Sequence, residues 1–203
     1  MPNDSRPALL FASGNPTKQL IYRPILDQMG LAVYDLSEAS NLPLDQPVED
    51  AATVTENAAI KAAHYQSENH PHVFAHDVGI CFDALNDEPG VQARRWGGKL
   101  GDSVSDEDWM DYLLMRLKDV PSEKRTGRFV VGWALATGDK QVHTLLLESP
   151  FVIADKPLRP MTSGSPMTAL MVGDDDMIAQ RQAVFVKQLK TWLPLLQLAD
   201  QTI

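Results

Sequence analysis

The segment that most restricts the fold of this chain is its first apolar run, Ala8-Leu9-Leu10-Phe11-Ala12, and the way it stops. An apolar run of this length bounded by turn formers reads as a buried strand. Ser13-Gly14 breaks it at once. Asn15 then stands where a helix N-cap belongs, and Pro16 occupies a first helical position, where a missing N–H costs nothing. A strand that turns through a glycine straight into a helix is the opening of an α/β unit. Leu20, Ile21, Ile25 and Met29 give that helix an apolar side over about residues 16–29, and Gly30 supplies a stop. Pro24, in its interior, predicts a kink or a shortened helix.

The alternation continues along the chain. Residues 31–36 read as a second strand and 41–50 as a polar loop containing proline. The alanine-rich stretch 55–68 predicts a helix with Ala58, Ala59, Ala62 and Tyr65 on one face. Val73-Phe74-Ala75 predicts a short strand that leads into His76-Asp77-Val78-Gly79; Ile80-Cys81-Phe82 then resumes an apolar run, and Glu88-Pro89-Gly90 makes a turn. Ser105 and Asp108 form a capping pair for a helix that buries Trp109, Leu113, Leu114 and Leu117. Residues 128–136 and 141–148 read as an antiparallel hairpin, and 150–176 as irregular chain. A last helix over 177–196 buries Ile178, Phe185, Leu189, Trp192 and Leu196. This order predicts an α/β fold with a mixed central sheet flanked by helices. No shift of composition marks a linker, so residues 1–203 read as a single domain.

Charge narrows the partners. The formal net charge is -9, which disfavours long nucleic acid, because binding it depends on neutralising many phosphates. A small polyanion brought in with a cation remains open. Cys81 is the sole cysteine, so no disulfide forms within the chain, which favours a reducing, cytoplasmic setting. No apolar run has membrane-spanning length, and residues 1–7 lack the basic-then-apolar order of a signal peptide.

Three clusters could carry chemistry. Ser13-Gly14-Asn15-Pro16-Thr17-Lys18 offers helix N-terminal N–H groups to an anion, with Lys18 as a point charge; its plainer reading is an ordinary capped turn. Glu49, Asp50, Glu56 and Asp77 supply carboxylates, and Mg²⁺ needs only one or two of them beside substrate phosphates and water. Taken singly, Asp77 also reads as a turn residue and Glu49 and Asp50 as solvated loop charge. Arg94-Arg95-Trp96 pairs guanidinium groups with an aromatic, as a phosphate or base site would, or as plain surface does. Trp96 and its neighbours, read as exposed, are compatible with a dimer surface. His70 and His72 flank Pro71 without a third metal ligand, and read as loop residues.

In combination these motifs are more specific. Ser13-Gly14-Asn15-x-x-Lys18, Glu56-Asn57-Ala58-x-x-Lys61-Ala62, Asp77-x-Gly79 and Pro89-Gly90-Val91 follow one another in an order that resembles the inosine triphosphate pyrophosphatase family. The resemblance implies two lobes with a cleft, commonly a homodimer, and Mg²⁺-dependent cleavage between the α- and β-phosphates of deaminated purine triphosphates. By position it implies that Ser13, Gly14, Asn15 and Lys18 hold the triphosphate. Asp77 matches the general base and metal-linked aspartate, and Glu49 the second metal-side carboxylate. Asn57, Lys61, Val78, Arg95 and Arg181 fall on substrate-binding positions.

The chain departs from the family at the base-reading end. His76 replaces the first aspartate of the family's D-D-S-G motif and Val78 its serine. The F-G-[YW]-D segment is replaced by residues 164–171, the S-H-R motif reads Ala179-Gln180-Arg181, and Asp174-Asp175-Asp176 stands where the family has a lysine. These changes predict relaxed or redirected base choice. They also leave two other functions open: a nucleotide-binding protein with impaired catalysis, and a Mg²⁺-dependent phosphohydrolase of another phosphorylated metabolite.

Overall fold

The computed structural model describes residues 5–101, 103–173 and 177–199; the Asp174-Asp175-Asp176 run lies outside them. The elements are β1 (Ala8–Phe11), α1 (Pro16–Gln28), β2 (Ala32–Asp35), α2 (Val54–Tyr65), β3 (Val73–Phe82), β4 (Pro89–Gly90), α3 (Asp106–Arg116), β5 (Thr126–Ala136), β6 (Val142–Val152) and α4 (Met177–Ala199). Short 3₁₀ turns, among them Pro166–Leu170, fill the connections.

The six strands form one sheet in the order β2-β1-β3-β5-β6, with β4 paired to β3. Strand β1 pairs in parallel with β2, Ala8 opposite Ala32, and with β3, Leu10 opposite Val73. Strand β4 runs antiparallel to β3. Strands β5 and β6 form the expected hairpin, closed by Thr137 N–H donating to Gln141 C=O at 2.9 Å. The sheet is therefore mixed, as the order of elements predicted.

Among the described residues, those of 5–77, 132–146 and 178–199 form one compact unit, and those of 78–131 and 147–177 form a second. Strands β3, β5 and β6 each contribute to both. In the first unit the period of two in the strands sorts two apolar layers. Leu10, Ala12, Val73, Ala75, Ala134 and Ala136 meet Ala58, Ala62 and Tyr65 of α2. Phe11, Phe74 and Trp133 point the other way and pack with Tyr22 of α1 and Phe185 of α4. The alanine-lined layer lets α2 approach closely. Gly132 marks the tightest point: a Cβ there would lie 2.5 Å from the Val54 carbonyl oxygen. The second unit buries Phe82, Trp96, Trp109, Leu113, Leu117 and Phe151 around α3.

Helix starts follow the sequence. The Asn15 side chain accepts from Thr17 N–H and Lys18 N–H, Thr53 and Glu56 form a full capping box, and Ser105 accepts from Asp108 N–H. Each cap stabilises its helix by about 1 kcal/mol. Four expectations need correction. Helix α1 is not shortened at Pro24 but continues to Gln28, with Pro24 on its exposed side. Leu20, on that same exposed side, is 78% accessible, and the buried positions are Tyr22 and Leu26. Ile178 is half-exposed, whereas Phe185, two turns further along α4, packs on the sheet aromatics. Trp96 is fully buried, stacked with Phe82 and beneath the Arg116 guanidinium, so it offers no dimer surface.

Asp106, at the first position of α3, ties down the 164–171 segment. Its carboxylate accepts from Gly164 N–H at 2.7 Å and pairs with Arg94. The backbone bond, then the guanidinium, hold its carboxyl below the usual carboxylate range. A carboxyl lowered by folding stabilises above its unfolded value and loses that stabilisation as pH falls through the folded one. Asp106→Asn is therefore expected to cost about 1–2 kcal/mol near neutrality. Denaturant unfolding at acid pH, below the lowered value, should find the two proteins converging; a gap independent of pH would refute the ionic account.

Candidate active site

The parallel strands set the location. The chain leaves β1, returns through α1 to β2 on one side, then crosses by α2 to β3 on the other. In open α/β sheets ligands bind beyond the carboxyl ends of strands at such a reversal. The Ser13-Gly14-Asn15 turn lies just past β1, and β3 runs on beyond its last β1 partner, Phe74. Asp77 is thus a mid-strand residue, about 10 Å further along at the rise of an extended chain. The sequence reading placed it at a strand end; in fact one strand runs from Val73 through Gly79 to Phe82.

Four charged groups gather there, all in the first unit. From the first turn of α1, Lys18 donates its Nζ to the His76 carbonyl at 3.1 Å. Lys61 of α2 pairs with Glu49 at 2.8 Å. One turn earlier on the same helix, Asn57 donates Nδ2 to the Asp77 carboxylate at 3.3 Å. Lys18 feels Lys61, Asp77 and Glu49 together, and burial followed by Lys61 lowers its pKa to about 8 against the pull of the two carboxylates. Arg181 of α4 adds positive potential at Tyr22 and His76.

The turn itself is organised from within. Ser13 Oγ accepts from Asn15 N–H, Ser13 C=O accepts from the Gln19 amide at 2.7 Å, and the Asn15 cap takes the N–H groups of Thr17 and Lys18. The helix N–H groups that the sequence offered to an anion are therefore engaged by the cap. Attraction for an anion falls instead to the helix dipole and the lysines. A shallow groove of about 640 Å³ starts at Ser13 and Gly14 and runs toward Arg23 and Asp35, but neither Lys18 nor Asp77 lines it.

His76 takes no place beside Asp77. Neighbouring residues of a strand face opposite sides, and its ring lies in the aromatic layer, with Nε2 3.2 Å from the Tyr22 hydroxyl. Burial, then Lys18, Lys61 and Arg181, holds it well below the usual histidine range, hence neutral. Replacing an aspartate by His76 thus changes the core-facing side of β3, not the side that carries Asp77.

The remaining candidates take other parts. Glu56 is spent on its capping box, and Asp50 is exposed loop. Arg94 holds Asp106 and the Val104 carbonyl, a structural role. Val78 follows Asp77 directly in β3, and Arg95 lies in the second unit. His70 and His72 lie in the loop between α2 and β3, as expected, but are buried there, and the His70 ring bridges the Tyr34 hydroxyl and the Ser40 carbonyl. Among the described residues no three His, Cys, Asp or Glu cluster as a metal cage, and no helix is long and apolar enough to cross a membrane. Met167, Ala169 and Leu170, in the 164–171 segment, are packed into the second unit's core. Sequence reasoning missed the bonds that Asn57 and Lys61 make, whose partners lie 20 and 12 residues away.

Known proteins share both sequence and fold with this chain. A dITP/XTP pyrophosphatase of Corynebacterium efficiens is 40% identical over 132 residues, 64% of this chain and 62% of that protein, so the match spans less than two thirds of the relative's length. One from Nocardia farcinica is 36% identical over 151 residues, 74% of this chain and 72% of that one. Among solved structures, a nucleoside-triphosphatase/dITP/XTP pyrophosphatase of Mycobacterium abscessus superposes with a TM-score of 0.64 at 26% identity, covering 91% of this chain and 97% of the other. A HAM1 protein from Coxiella burnetii shares the fold, with a TM-score of 0.72 at 22% identity over 92% and 98% of the two chains. The glycine turn, α2 and the strand of Asp77 all fall within residues 9–154, which match the Ham1 family model, and the chain belongs to the Ham1 family.

Proposed function

We propose that this chain is a Mg²⁺-dependent nucleoside-triphosphate pyrophosphatase that converts non-standard purine triphosphates of the dITP/XTP kind to monophosphate and pyrophosphate. The observation that carries the reading is the pair of carboxylates, Glu49 and Asp77, fastened to one helix through Lys61 and Asn57 beside the half-buried Lys18. The relatives' names supply the substrate class.

The donor set fits the metal. Two carboxylates with oxygen-only chemistry suit Mg²⁺, which keeps water and takes substrate phosphate for its other positions. Once bound, it would neutralise phosphate charge and stabilise the departing pyrophosphate. The chain's own groups do the rest. Lys18 and Lys61 bind the polyphosphate electrostatically, with Ser13, Gly14 and Asn15 setting the turn it approaches and Arg181 adding positive potential. Asp77 accepts the proton of a water molecule whose oxygen attacks the α-phosphorus. As that P–O bond forms, the bond from the α-phosphorus to the bridging oxygen breaks, and pyrophosphate departs with the electron pair. Cys81, a lone buried thiol, accords with work in the reducing cytoplasm.

The test is the product. With Mg²⁺ and a panel of ITP, XTP, ATP and GTP, pyrophosphate should appear, with weaker preference for ITP and XTP than a base-reading pocket would give. Lys18→Ala should raise KM or lower kcat/KM by about 10- to 100-fold, the loss of one charged hydrogen bond. Binding without turnover would establish an impaired enzyme, and orthophosphate as the only product would establish a different phosphohydrolase.

A further inference from the structure

We infer that Asn57 is a positioning residue that locks the segment carrying Glu49 and the carboxylate of Asp77 into one fixed arrangement. The inference rests on the metal-dependent reading just given and assigns the residue that makes that site a unit.

Asn57 is 2% exposed and uses both ends of its amide. Its Oδ1 accepts from Ala51 N–H at 3.0 Å, two residues after Glu49, and its Nδ2 donates to Asp77 Oδ2 at 3.3 Å. The amide cannot flip, because a flip would set oxygen against carboxylate and NH₂ against N–H. Aspartate at this position keeps the acceptor for Ala51 and replaces the donor to Asp77 by a second carboxylate oxygen set against it; alanine loses both.

The platform beneath it is rigid. The Thr53–Glu56 capping box fixes the first turn of α2, and Gly132 of β5 lies against Val54, which is buried. Asn57 and Lys61 are four residues apart and so share a helix face. One helix stripe thereby holds both carboxylates, Asp77 through Asn57 and Glu49 through Lys61 directly and Asn57 indirectly. Among the described residues, the 45–51 loop without the amide still has the Lys61 pair and the His64 contact to the Asp45 carbonyl. A flexible loop presents a carboxylate to a cation with an ordering cost that a fixed one avoids.

The test reads Mn²⁺ binding to nucleotide-free protein by electron paramagnetic resonance, alongside steady-state kinetics. E49Q should weaken Mn²⁺ binding about tenfold in the Asn57 protein and less than about threefold in N57A, because groups acting as a unit are non-additive. In N57D, where the tie to Ala51 survives, the E49Q effect should keep its full size. N57D should lower kcat about 10- to 100-fold through Asp77 while KM for the nucleotide stays within about threefold. A merely structural amide would lower the melting temperature and move neither the E49Q effect nor the split between kcat and KM. Equal E49Q effects in all backgrounds, or N57D with unchanged kcat, would overturn the inference. N57D decides the matter by itself should N57A fail to fold. Mn²⁺ binding indifferent to E49Q and D77N with Asn57 intact would bring down the metal site and this inference with it; a strong but additive E49Q effect would sink this inference alone.

Discussion

Asparagine at position 77 is expected to cut pyrophosphate release by roughly 100- to 10,000-fold while leaving the fold intact, the range for removal of a positioned general base. The substitution changes no volume. Its own amide oxygen can still accept from Asn57 Nδ2, so the bond that now measures 3.3 Å has an acceptor in the variant. What disappears is a negative oxygen that can take a proton or bind a cation. The loss should therefore fall on kcat rather than on KM, since Lys18 and Lys61 remain to hold the polyphosphate. Full progress curves with ITP, paired with thermal melts, provide the check. Retention of kcat within threefold of the wild type, with an unchanged melt, would remove Asp77 from the chemistry.

Gly132→Ala is expected to destabilise the protein by about 3 kcal/mol or more, the scale of severe overpacking against fixed atoms. A Cβ at this position would meet Val54 O at 2.5 Å, Val54 C at 2.6 Å and Thr55 N at 2.7 Å. All three are backbone atoms of the first turn of α2, so no side chain can swing aside. Either β5 bends or the helix start moves, and moving it carries Asn57 with it. Chemical denaturation should show the loss, and activity should fall further than the unfolded fraction explains. Gly14→Ala is the contrast: a Cβ there meets nothing within 4 Å, and stability should shift by no more than about 0.5 kcal/mol. A Gly132→Ala protein as stable as its parent would mean that the contact between β5 and α2 yields easily.

The legible parts of the sequence were those governed by neighbours in the chain. Asn15, Ser105 and Gly30 announce helix ends because caps are local chemistry, and the strand-turn-helix at Ser13-Gly14 follows from apolar run and breaker alone. Contacts between distant residues were not legible. His76, Asp77 and Gly79 look like a break in an apolar run, yet β3 passes through them because neighbouring strands supply its ladder. Trp96 reads as exposed beside two arginines, but Phe82, Trp109 and Tyr112 enclose it. Gly132, inside the run 128–136, was an overlooked signal, since glycine within a strand marks close approach of another backbone, and so was the Thr53–Glu56 capping box. The candidate site residues came from the family resemblance. The pairings of Lys61 with Glu49 and of Asn57 with Asp77 required coordinates.

Strands β3, β5 and β6 each belong partly to one compact unit and partly to the other. One unit is assembled from three stretches of sequence and its companion from two. No single pair of cuts in the gene could therefore release either as an intact piece, and grafting one onto a foreign partner would sever three strands midway. Variation in such a protein has to accumulate residue by residue within a shared framework, rather than by exchange of ready-made modules.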